Sequence, residues 1–345
     1  MHKVQGFSDR SLALDALRAA AVIMVVFFHV GTRYGAAEID WLGQQFLRYG
    51  FLGVDVFFPL SGYLITSYLT GQGAGASVGS FFIRRIFRII PLYMVAVTLF
   101  VIGSLLSGTQ ADILDRIWIT YAMLTAWFTA FWGPDAVPYT ITWSITVEEF
   151  AYLLFGLMAL LSRRAFPLFL VLLLVAPFFL RVWLYSIGFA EVYYFPLARL
   201  DSIAAGGITA YLVRHYRFGW MWLPTATVVF LTLRYLGPVD VASASLFSVV
   251  TFASCSLIAF CVLFLHNWRG MIMQVMARIG LYSYFIYLMH FFVIYGLFAI
   301  YERLGLWLHF WPTCALALGL SFGSAHFSFL WFEAPLIRLG RRLGK

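Results

Sequence analysis

Charged side chains are the scarcest class in this sequence. Asp, Glu, Lys and Arg make up 11% of the 345 residues, while hydrophobic side chains make up 63%, far from the roughly one-quarter charged content of soluble domains. That scarcity excludes a soluble globular chain. Cysteine is nearly as rare: Cys255, Cys261 and Cys314 fall in apolar runs without paired spacing, which argues against a cysteine metal framework and leaves core packing as their use. No metal is expected. The net charge is +8, yet no basic stripe interleaved with aromatics lies outside the apolar runs, which argues against nucleic acid as a partner. Polar linkers, low-complexity tracts, internal repeats and any segment able to form a soluble domain are missing.

What remains is apolar length. Mean hydropathy is +0.89, and runs of about 20 residues recur, each long enough to cross a bilayer as a helix. An all-α polytopic bundle in contact with membrane lipids follows, because every backbone polar group must be satisfied inside lipid. Ten spans are expected, near 12–31, 50–70, 89–107, 142–162, 166–187, 198–215, 219–236, 244–265, 281–301 and 307–330. An eleventh stretch, 117–132, is short for a crossing and reads as a re-entrant or interfacial element. The first run follows Lys3 and Arg10 and precedes Gly35, Ala36 and Ala37, as a signal peptide would, but its length and internal charges argue for a retained span.

Basic residues orient the bundle. With the N-terminus inside, the inner segments collect Lys3, Arg10, Arg84, Arg85, Arg88, Arg163, Arg164, Arg214, Arg217, Arg269, Arg278, Arg338, Arg341, Arg342 and Lys345, fifteen of the 23 Lys and Arg. Both termini are therefore expected in the cytoplasm. A full crossing at 117–132 would put Arg163, Arg164, Arg214 and Arg217 outside, against the rule. The tail ends about a dozen residues after the last span, so residues 1–345 are expected to form a single membrane-embedded domain without a soluble C-terminal domain.

Ionisable groups inside the apolar runs are costly and mark sites by default. Arg18 and His29 are eleven positions apart on the first run, so they share a helix face about 16 Å apart along the axis, with Asp15 placed to pair with Arg18. The bland alternative is a snorkelling arginine and a packed histidine. Asp55 in the second span, Glu148 and Glu149 in the fourth, and Arg199 with Asp201 at the start of the sixth are expected in the outer third of the bilayer. A carboxylate beside His29 would suit a general base. Adjacent Glu148 and Glu149 should not both face one cavity. Arg84, Arg85 and Arg88 form a basic collar at the inner end of the third span; such collars are ordinary, but guanidinium clusters also grip phosphates. His215 and His266 sit at inner ends, and His290 lies in mid-membrane.

These residues resemble the acyltransferase 3 family of integral-membrane acyltransferases across nearly the whole chain. The opening L-D-x-L-R with a histidine after ten intervening residues is met by Asp15, Arg18 and His29; "GVDVFFPLSGYLIT" supplies Gly53, Asp55, Ser61 and Gly62. An R-x-x-R before P-x-Y is met by Arg85, Arg88, Pro91 and Tyr93, the W-S-x-x-V-E-E segment by Trp143, Ser144, Glu148 and Glu149, and R-x-D by Arg199 and Asp201, with Gly206 following. "IGLYSYFIYLMH" ending in His290 and "FEAPL" around Glu333 complete the series. Pro59, where an aliphatic residue is usual, and Ala151, where an aromatic is usual, depart from it.

The resemblance implies an O-acyltransferase of the plasma (inner) membrane. It would move an acyl group, acetyl by default, from acyl-CoA to a carbohydrate hydroxyl, such as that of an exopolysaccharide, lipopolysaccharide or lipid-linked glycan of the cell envelope. It implies His29 as general base or transient acyl carrier, Glu148 or Asp55 orienting it, and Arg18, Arg84, Arg85 and Arg88 on the CoA phosphates. Ser61, Ser144, Arg199, Asp201 and His290 would face the substrate. The competing class is a proton-coupled transporter or flippase, which buried charges and an even span count also suit; the missing two-fold repeat and paired broken helices argue against it.

Overall fold

The computed structural model describes residues 11–71, 77–108, 111–216, 219–265 and 267–344; Lys3, Arg10, Arg217 and Lys345 of the charge argument, and His266, lie outside them. Among the described residues there are fifteen α-helices joined by short turns, and no strand. Eight helical stretches are long and apolar enough to cross a membrane: Leu12–Gly31, Trp41–Leu69, Val78–Ser107, Thr140–Leu161, Phe166–Ser186, Val239–Phe264, Ser283–Leu304 and Phe310–Leu343. They coincide with eight of the ten expected spans. The other two, at 198–215 and 219–236, are helices of 16 and 15 residues, shorter than a crossing of about 20. The stretch 117–132 is two short helices, Ile117–Tyr121 and Thr125–Trp132, broken where Met123 takes φ 56°.

The chain divides into two compact units, Met1–Phe57 with Ser256–Ala325, and Phe58–Cys255 with His326–Lys345. The first is built on α1 (Leu12–Gly31), whose start is capped by Ser11, with Oγ accepting from the Leu14 N–H at 3.4 Å. Ala19, Val22, Val25, Val26 and Val30 of α1 are fully buried. The first unit also holds α2 (Trp41–Tyr49) and the start of α3 (Gly53–Leu69). From the later part of the chain it takes α12 (Met271–Leu281), α13 (Ser283–Leu304) and most of α14 (Phe310–Ser328). Helix α12 lies so close to α1 that a Cβ at Gly280 would stand 1.7 Å from the Asp15 carbonyl oxygen. Asp40 caps α2, accepting from the Gly43 N–H at 2.8 Å and, through its other oxygen, from Trp311 Nε1 at 3.0 Å, which ties α2 to α14.

The second unit holds the rest of α3, then α4 (Val78–Ser107), α5 and α6 (the two short helices above), α7 (Trp143–Leu161) and α8 (Phe166–Ser186). It continues through α9 (Leu200–His215), α10 (Trp222–Leu236) and most of α11 (Val239–Phe264), and closes with α15 (Ala334–Leu343). Helix α3 remains helical through Pro59. It meets α9 at two glycines: a Cβ at Gly62 would stand 1.8 Å from the Ile203 carbonyl oxygen, and one at Gly206 1.8 Å from that of Pro59. The two backbones can touch only because both side chains are hydrogen. In the same unit, α15 rests on α4, with Gly340 against Phe87 and Arg84 Nη2 donating to the Gly344 carbonyl at 3.1 Å.

Candidate active-site residues

In the first unit, α1 and α13 bring two histidines together. His290 is fully buried and His29 partly exposed; His290 Nε2 lies 3.2 Å from His29 Nδ1. A carbonyl only accepts. The contacts of His290 Nδ1 with the carbonyls of Tyr287 at 2.6 Å and Ile286 at 3.2 Å therefore place a hydrogen on that nitrogen. Its Nε2, in the neutral ring, is an acceptor. His29 Nδ1 lies 2.9 Å from the Val25 carbonyl, so it too carries a hydrogen, shared between that carbonyl and His290. The tautomer assigned in this way leaves the lone pair of His29 on Nε2. Phe28 and Phe291 set their ring edges against His29 at 4.9 and 4.8 Å between centroids.

Sequence spacing leads one to expect a carboxylate at His29; the hydrogen-bonded side chain seen within this unit is an imidazole, contributed by a helix 261 positions away. Arg18 Nη1 donates to Asp15 Oδ1 at 2.9 Å, the pair that i, i+3 spacing anticipates. Asp55 is fully buried in the first turn of α3.

In the second unit, α4 and α7 form an ionic cluster. Arg85 Nε donates to Glu149 Oε1 at 2.9 Å and its Nη2 to Glu148 Oε2 at 3.2 Å, while Ser61 Oγ donates to Glu148 Oε1 at 2.7 Å. The guanidinium carbon stands 3.6 Å over the Tyr152 ring, at cation–π distance. Two expectations are corrected here. Arg85 is expected at the inner collar and the glutamates in the outer third, yet they are in direct contact. The adjacent glutamates are also expected to diverge, but one planar guanidinium bridges both because Nε and Nη2, side by side on one edge, donate to successive positions of α7. Arg84 turns instead to the end of α15 and over Tyr68, and its Nε is buried without a hydrogen-bond partner. Arg88 follows on the same helix, one turn on. Ser144 is buried on α7.

Arg199 and Asp201 sit at the start of α9, both buried. Arg199 lies over Phe247 at 4.3 Å and Tyr193 at 5.2 Å. Asp201 accepts from Arg181 Nη2 at 2.6 Å, and Arg181 also donates to Ser248 Oγ at 2.9 Å and the Ala198 carbonyl at 2.6 Å. Arg181 is a buried charge that no motif in the sequence singles out. The signal was its position inside "VLLLVAPFFLRVWLY", a fully apolar context that leaves no water for the charge. Tyr152 carried no signal beyond its place three residues after Glu149. Among the described residues, no group of three or more His, Cys, Asp or Glu is placed to hold a metal ion.

The acyltransferase 3 family model, described as an acyltransferase domain, matches residues 11–326. A protein of Staphylococcus aureus strain COL named "Putative O-acetyltransferase" is 29% identical over 241 residues, covering 61% of this chain and 37% of that one. The O-acetyltransferase OatA of Staphylococcus aureus strain NCTC 8325 / PS 47 is 28% identical over 263 residues, 71% of this chain and 40% of its own length. The chain thus spans about two fifths of the length of these curated relatives. No solved structure matches it.

Proposed function

The chain belongs to the acyltransferase 3 family, and on that premise we propose that it transfers a small acyl group, acetyl in the first instance, from acyl-CoA to a hydroxyl of a cell-envelope glycan. One observation carries the reading: His29, paired through Nδ1 with His290 and the Val25 carbonyl, keeps its Nε2 lone pair. That nitrogen takes the proton of the acceptor hydroxyl as its oxygen attacks the thioester carbonyl. The new ester C–O bond forms, the C–S bond breaks, and the proton passes from His29 to the departing CoA thiolate.

Arg84 and Arg88 supply positive charge suited to the phosphates of the donor. Arg85 is assigned a different part, because two carboxylates already occupy its donors; it holds Glu148 and Glu149 in place. Arg18 is likewise held by Asp15. The carboxylates of Glu148, Asp55 and Asp201, the hydroxyls of Ser61 and Ser144, and the guanidinium of Arg199 are acceptors and donors of the kind that sugar hydroxyls require. We place the protein in the plasma membrane as one membrane-embedded catalytic domain with ten crossings, both termini and the acyl-CoA donor on the cytoplasmic side.

The test is acyl transfer by purified protein in nanodiscs, following thiol release from acetyl-CoA with a lipid-linked glycan extract as acceptor. Wild type is expected to release CoA only when acceptor is present, and His29→Ala to lose that release by at least about 10²-fold while still binding acetyl-CoA. Acceptor-dependent release that survives in His29→Ala would overturn the base assignment.

A further inference from the structure

His290 faces His29, and both of its ring nitrogens are already engaged, which leaves little for it to offer a substrate. We propose that His290 is a positioning residue for acyl transfer: its Nε2 accepts the Nδ1 hydrogen of His29 and holds that ring with Nε2 as the base. The proposal rests on the acyl-transfer reading of His29 and deepens it.

The geometry makes His290 an acceptor by elimination. Its Nδ1 hydrogen is committed to the Tyr287 and Ile286 carbonyls of its own helix, so the nitrogen facing His29 has only a lone pair while the ring is neutral. The other partner of His29 Nδ1, the Val25 carbonyl, belongs to the same helix as His29. It constrains the ring relative to α1 alone. His290 adds a contact from α13, 3.2 Å away, and two partners on different helices restrict the ring more than one can.

Charge explains why an imidazole occupies this position. When His29 takes a proton, positive charge spreads to Nδ1, and an acceptor there stabilises it. In hydrolytic triads a carboxylate does this and also selects the tautomer. A carboxylate inside an apolar bundle carries its own charge at high cost. A neutral imidazole performs the same task without a second ion. The ring edge of Phe291, 4.8 Å from His29 and 5.1 Å from His290 between centroids, covers the pair with apolar surface.

The test compares His290→Gln, which retains an acceptor but no ring, with His290→Phe and His290→Met, which retain bulk but no acceptor. Each is assayed in nanodiscs for thiol release at saturating acetyl-CoA and acceptor, and by 15N spectra of histidine-labelled protein with the His29 signals assigned through His29→Ala. The apolar variants are expected to lose about 10²-fold to 10⁴-fold in kcat with donor KM unchanged, and to lose the single Nδ1–H tautomer of His29. Gln is expected to remain within about 10-fold of wild type. If the residue served only packing, the order would reverse, with Phe closer to wild type than Gln. That order, or an unaltered His29 15N pattern in the apolar variants, overturns the proposal. Should wild type release no CoA, acyl transfer fails by itself, and the 15N comparison still decides whether His290 sets the tautomer.

Discussion

Arg85 illustrates how a single residue sets local energetics in an apolar bundle. Its guanidinium is held by Glu148 and Glu149, and the side chains of all three retain 17–24% exposure. Removing one member of a buried pair costs more than the pair contributes, since it strands the other charge. Arg85→Met is therefore expected to destabilise the protein by about 3 kcal/mol, the lower end of the range for buried pairs given that exposure. Glu148→Gln with Glu149→Gln in the same chain should recover part of the loss. Thermal unfolding in detergent checks both, and a variant as stable as wild type would show the cluster to be energetically idle. Ser61→Ala is expected to cost about 1 kcal/mol through loss of its bond to Glu148.

Asp40 gives a pH-dependent case outside the apolar segments. The Trp311 ring N–H and the Gly43 N–H hold its carboxyl below the usual carboxylate range. A depressed carboxylate contributes stability above its unfolded pKa and loses it as pH falls through the folded value. The cap of α2 should thus persist at neutral pH and open only below about pH 4. Amide exchange at Gly43, corrected for its intrinsic rate, should rise in that range, whereas in Asp40→Ala it should be raised at every pH.

At the scale of elements, close helix approach depends on a few glycines. Gly62→Ala and Gly206→Ala each put a methyl 1.8 Å from a backbone carbonyl oxygen across the α3 and α9 contact, and Gly280→Ala does the same at 1.7 Å against α1. Backbone cannot turn aside as a side chain can, so the helices must separate, at a cost of about 3 kcal/mol or more. Gly296 and Gly319 make the control, with nothing within 4 Å of an added Cβ. Alanine there should stabilise by about 0.5–1 kcal/mol through helix propensity. Equal melting shifts for the two sets would show that the contacts do not govern stability. The shared spacing of Gly62 and Gly206 against each other's helix also gives a packing reason for two glycines that sequence reading had noted only as parts of motifs.

For the whole molecule, orientation rests on charge. Fifteen basic residues gather on the segments assigned to the inside, and the positive-inside rule is the ground for the proposed cytoplasmic termini. Single thiols test it in a variant lacking Cys255, Cys261 and Cys314, which are buried. Arg303→Cys should react with an impermeant maleimide on intact cells, and Arg164→Cys only after permeabilisation. Labelling of both from outside would rule out the ten-span arrangement.

The apolar runs alone determined that this is a helical membrane protein, because hydrocarbon admits few other backbones. They also located eight crossing-length helices to within a few residues, apart from helical extensions at the ends. Pairing within one helix was equally legible: Asp15 and Arg18 had to meet, since three residues make nearly one turn. Partners from other helices were not legible. His29 meets His290 across 261 positions, Arg85 meets Glu148 and Glu149 across 63 and 64, and Arg181 meets Asp201 across 20. Helical periodicity specifies the face a side chain occupies but not the helix that comes to lie against it. That choice belongs to tertiary packing, in which the absence of a Cβ at Gly62, Gly206 and Gly280 is what lets α3 approach α9 and α12 approach α1.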